Sequence, residues 1–97
     1  MYARVARFTG GDPEAVQQAL DSIRQAAEQG PPEGVNGKAF KLMVDRDSGS
    51  VVAIGFFETE DDMRQGDRVL DEMSPPEGSM GSRSSVDLCE VAVDVEA

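Results

Sequence analysis

One hairpin-like run constrains the fold more than any other part of this chain. Between Phe40 and Phe57, two apolar stretches flank the turn-forming residues 45–50, and Gly49 can adopt the positive φ that hairpin loops often require. The second stretch, residues 51–57, has no polar side chain, so both of its faces are apolar. Such a strand needs cover on both sides of its sheet. The chain has helices for one side, and we expect a second copy of the chain to cover the other.

The first helix has clear start and stop signals. Asp12 can cap its amino end, Pro13 suits the first helical position, and Gly30 can end it before two prolines. A strand over residues 2–9 is predicted before it. Apolar residues recur along the helix at spacings of three and four, which predicts one buried face: Val16, Ala19, Leu20, Ile23, Ala26 and Ala27.

The second helix is predicted to follow the hairpin directly, with Thr59 near its start and a stop at residues 74–76. Residues 77–85 are rich in glycine and serine and predict a loop, and the last strand is predicted over residues 86–95. The apolar alternation of that strand changes phase, which predicts a β-bulge near Cys89 and Glu90. The apolar stripe of the second helix is Met63, Gly66, Val69, Leu70 and Met73.

This element order, β-α-β-β-α-β, predicts a single α+β domain over residues 1–97 with a ferredoxin-like plan. A four-stranded sheet would carry both helices on one face, and the apolar opposite face would meet a partner in a dimeric α+β barrel. We expect the first and third strands to lie side by side and to run parallel. The third strand would then lie near the centre of the sheet, where both of its apolar faces can be buried.

Composition excludes several function classes. The 97 residues carry a formal net charge of −10, from 19 acidic and 9 basic residues. That balance argues against nucleic-acid and anionic-membrane partners, which need a basic surface. The start of the chain lacks a long apolar segment, so we expect no secretory signal. Cys89 is the only cysteine and cannot form an intramolecular disulfide, which favours a cytoplasmic protein.

Few residues of the chain could act in catalysis or bind a metal or cofactor. The chain has no histidine and no tryptophan, so it lacks an imidazole base and an imidazole ligand for haem or zinc. We therefore expect no cofactor and no metal. The acidic residues 58–62 could hold a hard cation, but they fit a helix start better. Asp45 and Asp47 resemble the beginning of a calcium loop, but they fit a turn better. Cys89 is predicted to be a packed core thiol rather than a nucleophile.

Arg4 is the cation with the most suggestive position. It shares a strand face with Tyr2, Ala6 and Phe8, so it could line a pocket and grip an anionic or carbonyl ligand. The alternative is a salt bridge to a carboxylate of another subunit. Arg83 is the second cation that could reach such a pocket.

Residues 38–63 also carry a family resemblance. The sequence Leu42-Met-Val-Asp-Arg-Asp-Ser-Gly-Ser50, the apolar strand and the stretch Phe57-Glu-Thr-Glu-Asp-Asp-Met63 are similar to the antibiotic biosynthesis monooxygenase-like family of the dimeric α+β barrel superfamily. The resemblance implies a homodimer with a cavity between sheet and helices in each subunit. Some members are cofactor-independent monooxygenases of polycyclic aromatic substrates, some degrade haem, and many have no established activity.

Three functions follow from the resemblance and the residues. The first is a homodimer that binds a small aromatic or apolar ligand. The second is a cofactor-independent monooxygenase of a polyketide-like aromatic substrate, although Phe57 stands where active members often carry tryptophan. The third is a non-catalytic structural or interaction dimer. The chain leaves its status as an enzyme open, with no catalytic residue identified. The residues predicted to line the site are Tyr2, Arg4, Phe40, Phe57 and Arg83.

The missing imidazole generates a first prediction. Titration of hemin into the purified protein should give only the broad spectrum of nonspecific association. The chain has no imidazole, and we expect Cys89, Met63 and Met73 to be packed and Tyr2 to lie at the edge of the domain, so none is placed to ligate haem iron. Absorption spectroscopy would measure this. A saturable Soret shift at one haem per chain that is lost in the variant Tyr2→Phe or Cys89→Ser would contradict it.

Overall fold

The structure is a computed structural model that describes residues 1–30, 33–72 and 81–96. Its element order is β-α-β-β-α-β, as the sequence predicts. The elements are β1 (Tyr2–Gly10), α1 (Pro13–Glu28), β2 (Ala39–Asp45), β3 (Ser50–Phe57), α2 (Glu60–Glu72) and β4 (Gly81–Glu90). Together they form an α+β fold with a ferredoxin-like arrangement. No helix among the described residues has the length and apolar character needed to cross a membrane.

The sheet has the strand order β2-β3-β1-β4, and each neighbouring pair is antiparallel. The adjacency of β1 and β3 is therefore as predicted, but the expectation that they run parallel is wrong. The hairpin between β2 and β3 reverses the chain, so β3 must oppose β2. The helical crossovers connect strands that are not neighbours, β1 to β2 and β3 to β4, and each crossover skips over one antiparallel strand.

The main core lies between the sheet and α1. Phe8 and Val51 are cross-strand partners on β1 and β3, and both are buried beneath Val16 and Leu20 of α1. Full burial of a side chain of this size stabilises the fold by about 1.5–3 kcal/mol. The predicted stripe of α1 is only partly correct, because Ala26 and Ala27 at its carboxyl end are exposed.

The second helix approaches the sheet closely through Gly66. A Cβ atom at this position would lie only 2.7 Å from Cε1 and 2.8 Å from Cζ of Phe57. Phe57 is 1% exposed and is paired with Tyr2 on β1. The ring of Phe57 therefore occupies the space that any larger residue at position 66 would need.

The helix starts and the hairpin turn follow the sequence signals. The Asp12 carboxylate accepts a hydrogen bond from the backbone N–H of Ala15 at 3.2 Å, and Thr59 Oγ1 accepts one from Asp62 at 3.1 Å. Gly49 has a φ of 76° in the hairpin loop. The predicted end of α2 at residues 74–76 and its stripe residue Met73 lie outside the described residues.

The side chain of Asp45 closes the hairpin turn. Its carboxylate accepts hydrogen bonds from the N–H groups of Asp47 at 3.0 Å and Ser48 at 3.4 Å, and these bonds lower the pKa of the Asp45 carboxyl. The stabilisation is present above the ordinary pKa of an aspartate and is lost as the pH falls through the lowered one. The turn interpretation of Asp45 is therefore correct.

The last strand differs from its prediction. It begins at Gly81 and ends at Glu90, whereas the sequence pattern placed a loop over residues 77–85 and the strand over 86–95. Val93 and Val95 are about four-fifths exposed and lie beyond the strand. The register shift falls between Arg7 and Phe8 of β1, where β4 passes from Ser85 to Arg83, and not near Cys89.

The physical reason lies in the neighbouring strand. Residues 81–85 are polar, but antiparallel pairing with β1 satisfies their backbone groups whatever their side chains are. The valines beyond Glu90 alternate correctly for a strand, but β1 begins at Tyr2 and offers them little more backbone to pair with. A single contact, from Val91 N–H to the Met1 carbonyl at 2.9 Å, continues the pairing.

Gly66 provides a test of how closely α2 is packed. We expect Gly66→Ala to lower the free energy of unfolding by about 1–3 kcal/mol, because the buried ring of Phe57 must move. On an open helix face the same change would instead stabilise by about 1 kcal/mol. Denaturant unfolding would measure the difference.

The matched background is Phe57→Leu, which removes the ring atoms nearest to position 66. In that background the cost of Gly66→Ala should shrink or change sign, which a double-mutant cycle would show. An unchanged or increased stability of Gly66→Ala alone would contradict the close packing.

Candidate functional site

The sheet face away from the helices carries apolar residues with no cover among the described residues. We call it the open face. Val5, Val52, Ile54 and Phe56 are each partly exposed there, and Met43 is 49% exposed. These residues alternate with the helix-facing residues of the same strands, so the two-sided character of β3 that the sequence predicts is present.

Three rows cross the open face from β2 to β4. The outer rows run from Ala39 through Phe56 and Ala3 to Cys89, and from Met43 through Val52 and Arg7 to Ser85. The middle row runs from Lys41 through Ile54 and Val5 to Asp87. The middle row therefore has an apolar centre, a cation at its β2 end and an anion at its β4 end.

The predicted site residues do not form one pocket. Tyr2 and Phe57 are cross-strand partners at one end of the β1–β3 pair, and Phe57 is packed against Gly66. Phe40 lies on the outer strand β2, where it is 50% exposed. Arg83 lies on the opposite outer strand, β4. The structure thus brings together Tyr2 and Phe57 but separates Phe40 from Arg83 by the width of the sheet.

Arg4 is buried within the subunit rather than facing another one. It is 7% exposed, and its Nε donates a hydrogen bond to Oδ1 of Asp67 on α2 at 2.8 Å. Its partner on β3 is Gly55, where a Cβ atom would lie 3.3 Å from Cε2 of Phe57. Arg4 therefore joins α2 to β1, and neither a ligand nor a second subunit is needed to balance its charge. Arg83 is engaged similarly, with Nη2 2.6 Å from Oδ1 of Asp71.

A groove lies between α1 and β2 and opens to solvent. Its volume is about 340 Å³. Small-molecule sites usually have volumes of about 300–1,000 Å³, so this groove lies at the small end of that range. We call it the α1–β2 groove, and its apolar lining is formed by Leu20, Ile23, Ala27, Phe40, Leu42 and Val44.

Two cations border the groove. Arg24 of α1 and Arg46, which follows β2, complete its lining. Arg46 Nη1 donates a hydrogen bond to Oε1 of Gln17 at 2.6 Å, and Gln17 Nε2 donates in turn to Asp21 at 3.1 Å. This chain of bonds fixes the end of the hairpin to the outer surface of α1.

Sequence reasoning found one residue of this groove, Phe40, and missed the rest. The stripe of α1 predicted that Leu20, Ile23 and Ala27 would be covered by the sheet, whereas part of the stripe lines an open surface. The available signal was the excess of apolar positions on α1, which extend further than β2 can cover. Arg24 and Arg46 carry no signal of their own in the sequence.

Other reactive groups do not assemble into a site. Cys89 is a free thiol and is exposed at the edge of the open face, so the prediction of a packed core thiol is wrong. Its partner on β1 is Ala3, which is too small to cover the sulfur. Among residues 1–30, 33–72 and 81–96, no group of three or more acidic, cysteine or histidine side chains could hold a metal ion.

Comparisons of the chain with protein-family models, curated proteins and solved structures found no match. The resemblance of residues 38–63 to the monooxygenase-like family stays a prediction that these comparisons do not test.

The Arg4–Asp67 pair predicts an asymmetric response to mutation. Asp67→Asn should lower the free energy of unfolding by about 1–3 kcal/mol, because it leaves a buried guanidinium without its counter-charge. Arg4→Met should cost less, since the Asp67 side chain is 30% exposed and can be hydrated by water. Chemical denaturation would measure both.

The control is the exposed pair between Arg64 and Glu60 on the same helix, with an N–O distance of 2.8 Å. Its removal by Arg64→Met should change stability by no more than about 0.5 kcal/mol. Equal costs for Asp67→Asn and Arg64→Met would show that Arg4 is not dependent on its partner.

Proposed function

We propose that the protein is a homodimeric α+β barrel of the monooxygenase-like family that binds a small apolar ligand in the α1–β2 groove. The observation that carries the binding role is the groove itself, where Phe40 is half exposed beside aliphatic side chains of α1 and β2. The dimer is a separate part of the proposal and rests on the open face.

The open face suits a second copy of the chain. Its centre is apolar, and a single domain of this size gains stability by burying such a surface. We expect a large apolar interface of the obligate class, which buries roughly 2,000 Å² or more in total. The exposed Met43 and the partly exposed Phe56 would contribute to this interface.

The middle row also favours one orientation of the two sheets. A two-fold axis parallel to the strands places β2 of one subunit over β4 of the other. Lys41 then lies opposite the partner's Asp87, and this pairing occurs twice. An axis perpendicular to the strands would instead place Lys41 opposite its own copy, which is repulsive.

Binding is favoured over catalysis by the side chains of the groove. Its polar lining residues are Arg24 and Arg46, and a guanidinium group stays protonated in proteins, so neither can remove a proton from a substrate.

The alternative is a cofactor-independent monooxygenase, in which an electron-rich aromatic substrate activates oxygen and the protein supplies orientation and desolvation. Oxygen uptake with an anthrone-type substrate would favour that alternative. A dimer that binds neither kind of molecule would be a structural or interaction protein.

The dimer is tested by light scattering at micromolar concentration. The wild-type protein should show about twice the chain mass of 10.4 kDa. Lys41→Asp and Asp87→Lys should each shift the equilibrium towards monomer, and the double exchange should restore the dimer because it re-creates opposite charges.

Arg68→Asp serves as the control, because it makes the same change of charge on the exposed surface of α2. A stable folded monomer at micromolar wild-type concentration would refute the dimer. A dimer that the double exchange weakens further would refute only the proposed orientation.

The groove is tested by filling it. Ala27 lines the groove, whereas its exposed neighbour Ala26 does not. We expect Ala27→Trp to abolish saturable binding of octanol, followed by chemical-shift titration, and Ala26→Trp to leave it unchanged. Equal binding by both variants would place the ligand elsewhere, and absence of binding by the wild-type protein would refute the binding role.

A further inference from the structure

We propose that the ligand of the α1–β2 groove is an amphipathic anion, with an apolar body and one carboxylate group held by Arg46, while Arg24 adds positive charge further along the lining. This inference rests on the proposed binding role of the groove and adds the chemical class of the ligand. It comes from the charges at the rim of the groove rather than from its apolar lining.

The first argument is the distribution of cations. Acidic residues outnumber basic ones by 19 to 9, and among the described residues four of the nine cations are held in ion pairs. Arg4, Lys38, Arg64 and Arg83 each form an ion pair. Within the described part of the chain, neither arginine of the groove does, although Asp21 lies one helical turn before Arg24. Two cations without ion-pair partners therefore border one apolar groove.

The second argument is the orientation of Arg46. Its bond to Gln17 uses Nη1 and a neutral acceptor, so the positive charge is positioned but not neutralised. A guanidinium group has five N–H donors in a planar fork that matches a carboxylate. Gln17 is itself held by Asp21. The arginine is thus partly preorganised, which reduces the entropy lost when a ligand binds.

The third argument is the polarity of the groove along its length. Arg46 follows Phe40 by six residue steps, of which the first five lie in β2, so the two are up to about 20 Å apart at about 3.3 Å per residue. Arg46 lies at the end near Gln17, and Phe40 and Ala27 lie at the other end. A molecule with a charged head and an apolar tail would place its head at Arg46 and its tail along Leu42 towards Phe40.

The experiment compares octanoate with octanol, which share the same tail and differ in the charged group. Chemical-shift titration of the purified protein would give the two dissociation constants and would locate the perturbed residues. We expect octanoate to bind about fivefold more tightly or better, in line with the modest energy of partly exposed ion pairs. The largest shifts should fall in α1 and β2.

Three single variants identify the charges responsible. Arg46→Gln should weaken octanoate binding severalfold, Arg24→Gln should weaken it less, and both should leave octanol binding unchanged. Arg68→Gln is the control, since it removes one exposed charge from α2, away from the groove. Thermal unfolding of all three proteins would verify that the fold is intact.

The outcomes separate this inference from the role on which it rests. Tighter octanoate binding that is lost in Arg46→Gln, but kept in Arg68→Gln, supports an anionic ligand. Equal binding of octanoate and octanol, or equal effects of all three variants, would overturn the anionic class of the ligand. The proposal that the groove binds an apolar ligand would remain. Absence of both ligands from the groove would overturn the binding role and this inference together.

Discussion

The close contact between Gly66 and the ring of Phe57 determines how α2 lies on the sheet. Because position 66 has no side chain, the helix can settle against β3 until its backbone meets the aromatic ring. This short distance brings the adjacent residue, Asp67, over β1, where it meets Arg4. One turn further on, Asp71 meets Arg83 on β4. A single absent methyl group thus sets the positions of two ion pairs.

The first helix packs on the sheet through bulky side chains rather than through a glycine. Its contact with the sheet is made by branched side chains, Val16 and Leu20, which rest on Phe8 and Val51. Larger contacting side chains hold two elements further apart. The carboxyl half of α1 extends beyond this contact and leaves Ala27 opposite the half-exposed Phe40. The groove is therefore a consequence of the unequal packing of the two helices, one through glycine and one through bulky side chains.

Local signals in the sequence were sufficient for the helix starts and the hairpin, but not for the last strand or the site. The caps at Asp12 and Thr59 and the turn glycine at position 49 act over a few residues, so they can be identified without the fold. The bounds of β4 depend on β1, more than seventy residues earlier in the chain, and valine alternation beyond Glu90 was misleading. The partners of Arg4 and Arg46 come from α2 and α1, and only the packed structure shows which helix residue each one meets. The open face of β3 was predictable because it needs only the alternation of a strand.

The strand order has a consequence for how the chain assembles. Residues 51–57 are uncharged and rich in β-branched and aromatic residues, a composition that favours intermolecular β-sheet. In the folded sheet, β2 and β1 pair with both edges of this strand. The hairpin forms from neighbouring residues, so one edge is protected early, and β1 precedes it in the chain and can protect the other. Once β1 pairs with β3, the other edge of β1 stays unpaired until β4 is synthesised. β1 carries the charged residues Arg4 and Arg7. Residues 51–57 are thus paired on both edges with strands that are synthesised before them. The strand synthesised last, β4, pairs with β1, which carries charged side chains.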